Sequence, residues 1–192
     1  MSRADPLETL QDSLRGAPII WKGDYPYFIH PISDGIPRME AKVLRATRDL
    51  IIDMVDWSEI DIVVSVEAMG LPLLAAVGEA TGKPTVVIRK RPYGMEGEVR
   101  VDVSTGYSTS TAYINDIKPG DRVLVVDDVI STGGTLEPLL EALEEIGAIL
   151  KGVVIAIEKG EGRERLAEER PNWPIQTLAR IDIVEGRVEI VE

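Results

Sequence analysis

The chain contains no cysteine, one histidine and one phenylalanine in 192 residues. Without thiols, a disulfide, a thiolate nucleophile and a cysteine metal site are all excluded. The one histidine, His30, is the sole imidazole that could act as a general base, and a lone histidine in a loop more often serves structure. No apolar run approaches the ~20 residues that a membrane-spanning helix needs. The opening segment, MSRADPLETLQDSLRG, places acids where a signal peptide carries its apolar core. A soluble, cytoplasmic chain with no membrane partner is expected. Positive charge is also scarce, with 21 Lys and Arg against 33 Asp and Glu and a net charge of −12. Such a balance repels a nucleic-acid backbone, so no nucleic-acid partner is expected. Small anions are a separate matter, because backbone amides and a few cations can bind them inside an acidic molecule.

What is present is ordinary globular composition, 44% hydrophobic and 28% charged, in a length that suits one α/β domain over residues 1–192. Residues 1–37 read as an edge segment or hood and residues 38–192 as the core. Asp5 to Leu14 predicts a short helix ending near Gly16, and the aromatic, Pro- and Gly-rich stretch from Trp21 to Pro37 predicts an irregular cover. Pro37 is expected to open a helix carrying Met39, Val43, Leu50 and Met54 on one face. Strands are expected at Asp61–Val66, Thr85–Ile88, Val123–Val126 and Gly152–Ile157, with helices from Leu71 and over Thr135–Ile146, the latter capped by Gly147. Residues 92–112 lack clear periodicity and read as a long, functional loop. The tail predicts a hairpin, 181–184 against 188–191. Strands alternating with helices imply a doubly wound, mostly parallel sheet flanked by helices.

One segment carries most of the chemistry. Asp127 and Asp128 end the most hydrophobic strand, and Val129-Ile130-Ser131-Thr132-Gly133-Gly134-Thr135 runs straight into a helix. Glycines let the backbone approach an anion, the helix dipole and open amides face it, and Ser131, Thr132 and Thr135 add hydroxyls. Carboxylates beside such a cradle can accept hydrogen bonds from sugar hydroxyls, so a ribose phosphate matches both features together. Arg89, Lys90 and Arg91 form a cationic cluster in an acidic chain, which favours a bound anion nearby.

The run VLVVDDVISTGGT, residues 123 to 135, resembles the phosphoribosyl pyrophosphate signature of type I phosphoribosyltransferases. IRKR at 88–91 and EKGEGRERL at 158–166 are similar to parts of adenine phosphoribosyltransferases, and YPYFIHPISDGIP resembles archaeal hypoxanthine/guanine phosphoribosyltransferases. The resemblance implies the type I fold with a small N-terminal hood, two substrates, phosphoribosyl pyrophosphate and a purine base, and a homodimer. It places the 5'-phosphate on Ser131, Thr132, Gly133, Gly134 and Thr135, and the ribose hydroxyls on the catalytic pair Asp127 and Asp128. Pyrophosphate would meet Glu67, Ala68, Met69 and Gly70, in a loop where the family often holds a cis peptide, together with Arg89, Lys90 and Arg91. Magnesium ion is implied as the counterion, held mainly by the substrate with no dedicated protein cage. Residues 92–112 would close over the reacting centre and exclude water.

The chain departs from the family in three places. Met69 stands where adenine-specific relatives usually have Arg. The loop stretch Thr105-Gly106-Tyr107-Ser108 lacks their catalytic glutamate, and Ser131 stands where many hypoxanthine-guanine enzymes have Asp. Lys159 matches the lysine with which such enzymes donate to the purine oxygen at position six, and Phe28 and Ile130 are expected with it at the base. Tyr25, Tyr27 and Phe28 could form a hood over the base or serve packing and a dimer interface. The reading is therefore purine salvage, giving IMP or GMP from hypoxanthine or guanine. Adenine phosphoribosyl transfer giving AMP, a non-catalytic nucleotide-binding regulator, and a structural dimer with a vestigial site stand as alternatives.

Overall fold

The computed structural model describes residues 5–23, 25–105 and 108–191. In chain order the elements are α1 (Pro6–Arg15), β1 (Ile19–Lys22), β2 (Tyr25–Phe28), α2 (Pro31–Asp34), α3 (Ala41–Asp53), β3 (Ile62–Val66), α4 (Gly70–Thr81) and β4 (Thr85–Ile88). They continue with β5 (Val99–Thr105), β6 (Ser108–Ile114), β7 (Arg122–Ile130), α5 (Leu136–Ile146), β8 (Ile149–Lys159), α6 (Gly162–Glu169), β9 (Ile175–Val184) and β10 (Arg187–Val191). Among the described residues no helix is long and apolar enough to cross a membrane.

The central sheet has the order β10-β9-β8-β7-β3-β4. Its strands run parallel except β10, which returns antiparallel on β9 through the tight Glu185-Gly186 turn. Side chains of a strand alternate between faces, and β7 shows the consequence of burial on both sides. Val123 and Val125 enter one core with Ala142, Leu139 and Leu143 of α5, while Leu124 and Val126 enter the other with residues of α1, α3 and α4. The doubly wound reading of the sequence therefore holds: α5 covers one face and α4 the other.

Several local expectations change. The helix expected at Pro37 begins at Ala41, because Glu40 is extended (φ −73, ψ 130) and the buried stripe starts at Val43 and continues through Ala46, Thr47 and Ile51. The stretch 92–112 is not loop throughout. Strands β5 and β6 pair as an antiparallel ribbon, whose Val101, Val103, Ala112 and Ile114 are buried in the α5-side core. Paired hydrogen bonds between Arg89 and Tyr113 (3.0 and 2.7 Å) fix the ribbon to the end of β4. The cover segment contains a hairpin, β1 on β2, with Ile19 opposite Phe28. A helix that composition did not suggest, α6, lies between β8 and β9; Leu166 is its one fully buried apolar side chain.

Candidate active site

Strands β3 and β7 are parallel neighbours, Val64 beside Val125, yet the chain leaves them in opposite directions. From β3 it passes through α4 to the outer strand β4, and from β7 through α5 to β8. The two connecting helices diverge to opposite faces, which opens a crevice at the C-terminal ends of these strands, the usual ligand position in an open α/β sheet. A cavity of about 360 Å³ lies there, walled by Asp127, the loop from Val129 to Thr135, Leu136, Ile155 and Lys159, and roofed by Tyr27, Phe28 and Ser33.

The floor is the cradle. Gly133 takes a left-handed φ of +81, and α5 starts with Thr135 at φ −91 and no side-chain cap. A helix leaves its first amides without intrahelical partners, and here no side chain of the helix start occupies them. Together with the helix dipole they favour an anion beside Ser131 to Thr135. Thr132 Oγ1 accepts a hydrogen bond from Gly134 N (3.4 Å), so that hydroxyl also supports the turn.

The two acids do not end the strand, as the sequence suggested: β7 pairs with β8 as far as Ile130 opposite Glu158. Asp127 is buried and lines the cavity, its Oδ1 accepting from the Asp128 amide (3.0 Å). Burial pushes its carboxyl up to about 6, against the lowering effect of its hydrogen bonds with Asp128 and the charge of Lys90. Asp128 is half-buried and outside the cavity lining; burial raises its carboxyl strongly, and the charges of Asp127 and Asp34 raise it further. Two carboxylates this close hold a proton between them more readily than either would alone.

The roof is tied together by Asp34, which sequence reading did not single out. Its Oδ1 accepts from Tyr27 Oη (2.8 Å), and its Oδ2 accepts from Ser33 Oγ (2.7 Å) and the His30 amide (3.0 Å). His30 is fully buried and caps α2: Nδ1 accepts from Ile32 N (3.2 Å), which leaves its proton on Nε2 facing Ser13 Oγ (3.1 Å). Burial lowers the imidazole to about 4 despite the charge of Asp34. His30 is thus a structural cap and takes no place in the cavity wall. Lys159 Nζ donates to the Pro26 carbonyl (3.1 Å) and sits 5.8 Å from the centre of the Phe28 ring, so the lysine and the aromatic roof meet in the cavity wall.

The expected pyrophosphate residues cluster beside the cavity and are not part of its wall. The peptide Glu67–Ala68 is cis. Glu67 pairs with Arg89 (3.0 Å) and accepts from the Lys90 amide, which joins the loop after β3 to the cationic end of β4. Arg91 Nε donates to Tyr93 Oη (3.0 Å), and both Arg89 and Arg91 lie over the Tyr93 ring. Tyr93 escaped the sequence reading because an aromatic in a Gly-rich segment carries no periodic signal. Gly70 packs directly on Asp127, and the charge of Lys90 reaches it, so this cluster and the cavity share one carboxylate. The stretch 105–108, where the family's glutamate would fall, includes residues 106 and 107, outside the described residues.

An anion cradle and a carboxylate pair at the switch point of a parallel sheet, with cations on one side and a lysine under an aromatic roof on the other, define a site for a phosphorylated sugar and a planar acceptor. The family model for the phosphoribosyl transferase domain matches residues 34–176, and the chain belongs to that family. Hypoxanthine/guanine phosphoribosyltransferase of Methanocaldococcus infernus is 49% identical over 94% of this chain and 98% of its own, and that of Methanotorris igneus is 46% identical over 95% and 99%. Among solved structures, adenine phosphoribosyltransferase of Rhodothermus marinus superposes with a TM-score of 0.74 at 27% identity, covering 93% of this chain and 99% of that one.

Proposed function

We propose that this chain is a hypoxanthine/guanine phosphoribosyltransferase of purine salvage, acting as a single domain whose N-terminal 37 residues form the hood. The observation that carries the reading is the juxtaposition in one cavity of the cradle 131–135, Asp127 and, opposite, Lys159 beneath Phe28. In this reading the 5'-phosphate occupies the cradle and the ribose hydroxyls meet Asp127 and Asp128. Pyrophosphate leaves toward 67–70 and Arg89, Lys90 and Arg91. The purine stacks under Phe28 against Ile130, its six-oxygen accepting from Lys159. The bond from the anomeric carbon to pyrophosphate breaks, a bond to a purine nitrogen forms, and the proton that nitrogen carried passes to solvent. Positive charge develops on the ribose between them, where ionised Asp127 and Asp128 stabilise it.

A magnesium ion fits this donor set. Two adjacent carboxylates whose protons are held chiefly by burial would be ionised more readily beside a cation, while no group of three or more metal-binding side chains occurs among the described residues. Such a pair suits an ion carried mainly by substrate oxygens and water, and the ion would supply charge neutralisation of the leaving pyrophosphate. The homodimer and a cytoplasmic location belong to the same proposal, the former supported by the exposed Trp21 and Ile36 of the hood side and the latter by the hypoxanthine/guanine phosphoribosyltransferase names of the relatives.

Chromatographic identification of the nucleotide formed from phosphoribosyl pyrophosphate and magnesium tests the reading. IMP from hypoxanthine and GMP from guanine are expected. AMP alone would replace the base assignment, and tight cosubstrate binding without any nucleotide would indicate a regulator.

A further inference from the structure

The loop that binds the phosphate in the reading above is held from behind by α6, and the contacts are specific. Gly162 N donates to the Ser131 carbonyl (2.8 Å), and Arg165 Nη2 donates to the Thr132 carbonyl (3.2 Å). In a trans peptide the carbonyl and the next amide point in opposite directions. Holding the carbonyls of Ser131 and Thr132 toward α6 therefore turns the amides of Thr132 and Gly133 away from it. The cavity lies on that side, since Thr132 and Gly133 line it and α6 contributes no residue to its wall. The contact leaves no slack: a Cβ on Gly162 would lie 2.3 Å from the Ser131 oxygen and 2.7 Å from Gly133 N.

The same guanidinium does a second thing. Glu137, in the first turn of α5, places a carboxylate next to the amides that would receive a phosphate, where an unopposed negative charge repels an incoming anion. Arg165 Nη2 lies 2.8 Å from Glu137 Oε2 and its Nη1 pairs with Glu169, so the guanidinium is shared between two carboxylates and offsets the charge of Glu137. The helix is in turn anchored to the sheet through Glu158, whose buried carboxylate accepts from Arg163 Nε and Thr177 Oγ1 (both 2.7 Å), and through the Arg180–Glu164 pair.

We propose that Arg165 is a positioning residue for the phosphate loop: it aims the amides of the loop into the cavity and offsets the charge of Glu137. The inference rests on the phosphoribosyl-transfer reading, and its test separates the two. Titration calorimetry on the full chain, with ribose 5-phosphate and, separately, magnesium pyrophosphate as probes, compares the wild type with Arg165→Ala, Arg165→Lys and the Arg165→Ala, Glu137→Gln double variant. Arg165→Ala is expected to weaken ribose 5-phosphate binding at least about tenfold, the scale of a lost charge-assisted hydrogen bond. Pyrophosphate affinity, set at the 67–70 and 89–91 cluster, should stay within about twofold. Arg165→Lys should lose less, and removing the Glu137 charge in the double variant should restore part of the loss, which a purely structural defect would not do. Unchanged ribose 5-phosphate affinity in Arg165→Ala, an equal fall for both probes, or no recovery on adding Glu137→Gln would overturn the assignment. A wild type that binds neither probe and converts no base would overturn the underlying reading instead.

Discussion

Gly70 and Asp127 approach so closely that no side chain fits between them: a Cβ at position 70 would lie 2.7 Å from Asp127 Oδ1 and 1.9 Å from Ser65 Oγ. Ser65 is fully buried, so its hydroxyl cannot yield toward solvent. Gly70→Ala must shift either α4 or the carboxylate, at a cost on the order of 1–3 kcal/mol for overpacking. The expected outcome is a lowered thermal midpoint together with a fall in turnover larger than the stability loss explains. Unfolding scans and steady-state kinetics on the one variant check both.

The carboxylate pair predicts opposite effects on stability and activity. Because burial holds the Asp127 carboxyl near 6, above its ordinary value of 3.8, the folded state binds more protons than the unfolded one between these pH values. This group's contribution to stability therefore falls as pH rises through that window, so at neutral pH the ionised pair is a net cost to the fold. Asp127→Asn with Asp128→Asn should leave the thermal midpoint at neutral pH unchanged or raised, while turnover drops at least ~100-fold with the loss of transition-state charge stabilisation. A double variant with wild-type turnover would remove the role assigned to the pair.

The same group sets a pH limb. If the ionised form serves catalysis, kcat/KM of the wild type should decline as pH falls through about 6, where Asp127 takes up its proton. A profile that stays flat through that region contradicts an ionised requirement.

Lys159 gives a specificity prediction. Its ammonium donates to the Pro26 carbonyl and faces the Phe28 ring, and in the proposed reading it also donates to an oxygen of the base. Lys159→Met keeps the length and removes the donor, so kcat/KM for hypoxanthine should fall about tenfold or more. Activity toward adenine, which has no oxygen there, should not fall with it. Competition between the two bases for the variant measures the ratio directly.

His30 behaves as a buried neutral group. Its imidazole, lowered to about 4 from 6.5, is uncharged in the folded state while the unfolded chain binds a proton in that interval. Its contribution is fully present above 6.5 and is lost as pH falls toward 4, the reverse of the Asp127 trend. His30→Asn, which retains a capping acceptor for the Ile32 amide, should make the acid limb of a stability curve shallower. Denaturant midpoints across that pH interval report it.

How much of this was legible in the sequence depended on whether a segment's physics was local. The cradle was, because strand, acids, glycines and helix start follow one another between Val123 and Thr135. The tail hairpin and the Gly147 cap of α5 were legible for the same reason. The ribbon of β5 and β6 was not: Val99-Arg100-Val101-Asp102-Val103 alternates, but the partner strand meets buried Val101 and Val103 with Ala112 and Ser110, too small and polar to read as a strand face. Helix α6 has no apolar stripe; Arg163 fixes it by an ion pair to Glu158, five residues back on β8, and Arg165 by one to Glu137, which is remote in sequence. Asp34 looked like part of a turn; its partners Tyr27, Ser33 and His30 lie within seven residues of it, but composition carries no signal that one carboxylate accepts from all three.

The most direct measurement is pyrophosphate release from phosphoribosyl pyrophosphate with magnesium, supplying hypoxanthine, guanine, adenine, xanthine and orotate in turn. The account predicts release with hypoxanthine and guanine, with kcat/KM favouring hypoxanthine over adenine by at least ~100-fold, the discrimination a site built to donate to a base oxygen can reach. Release with adenine and none with either oxopurine would contradict it.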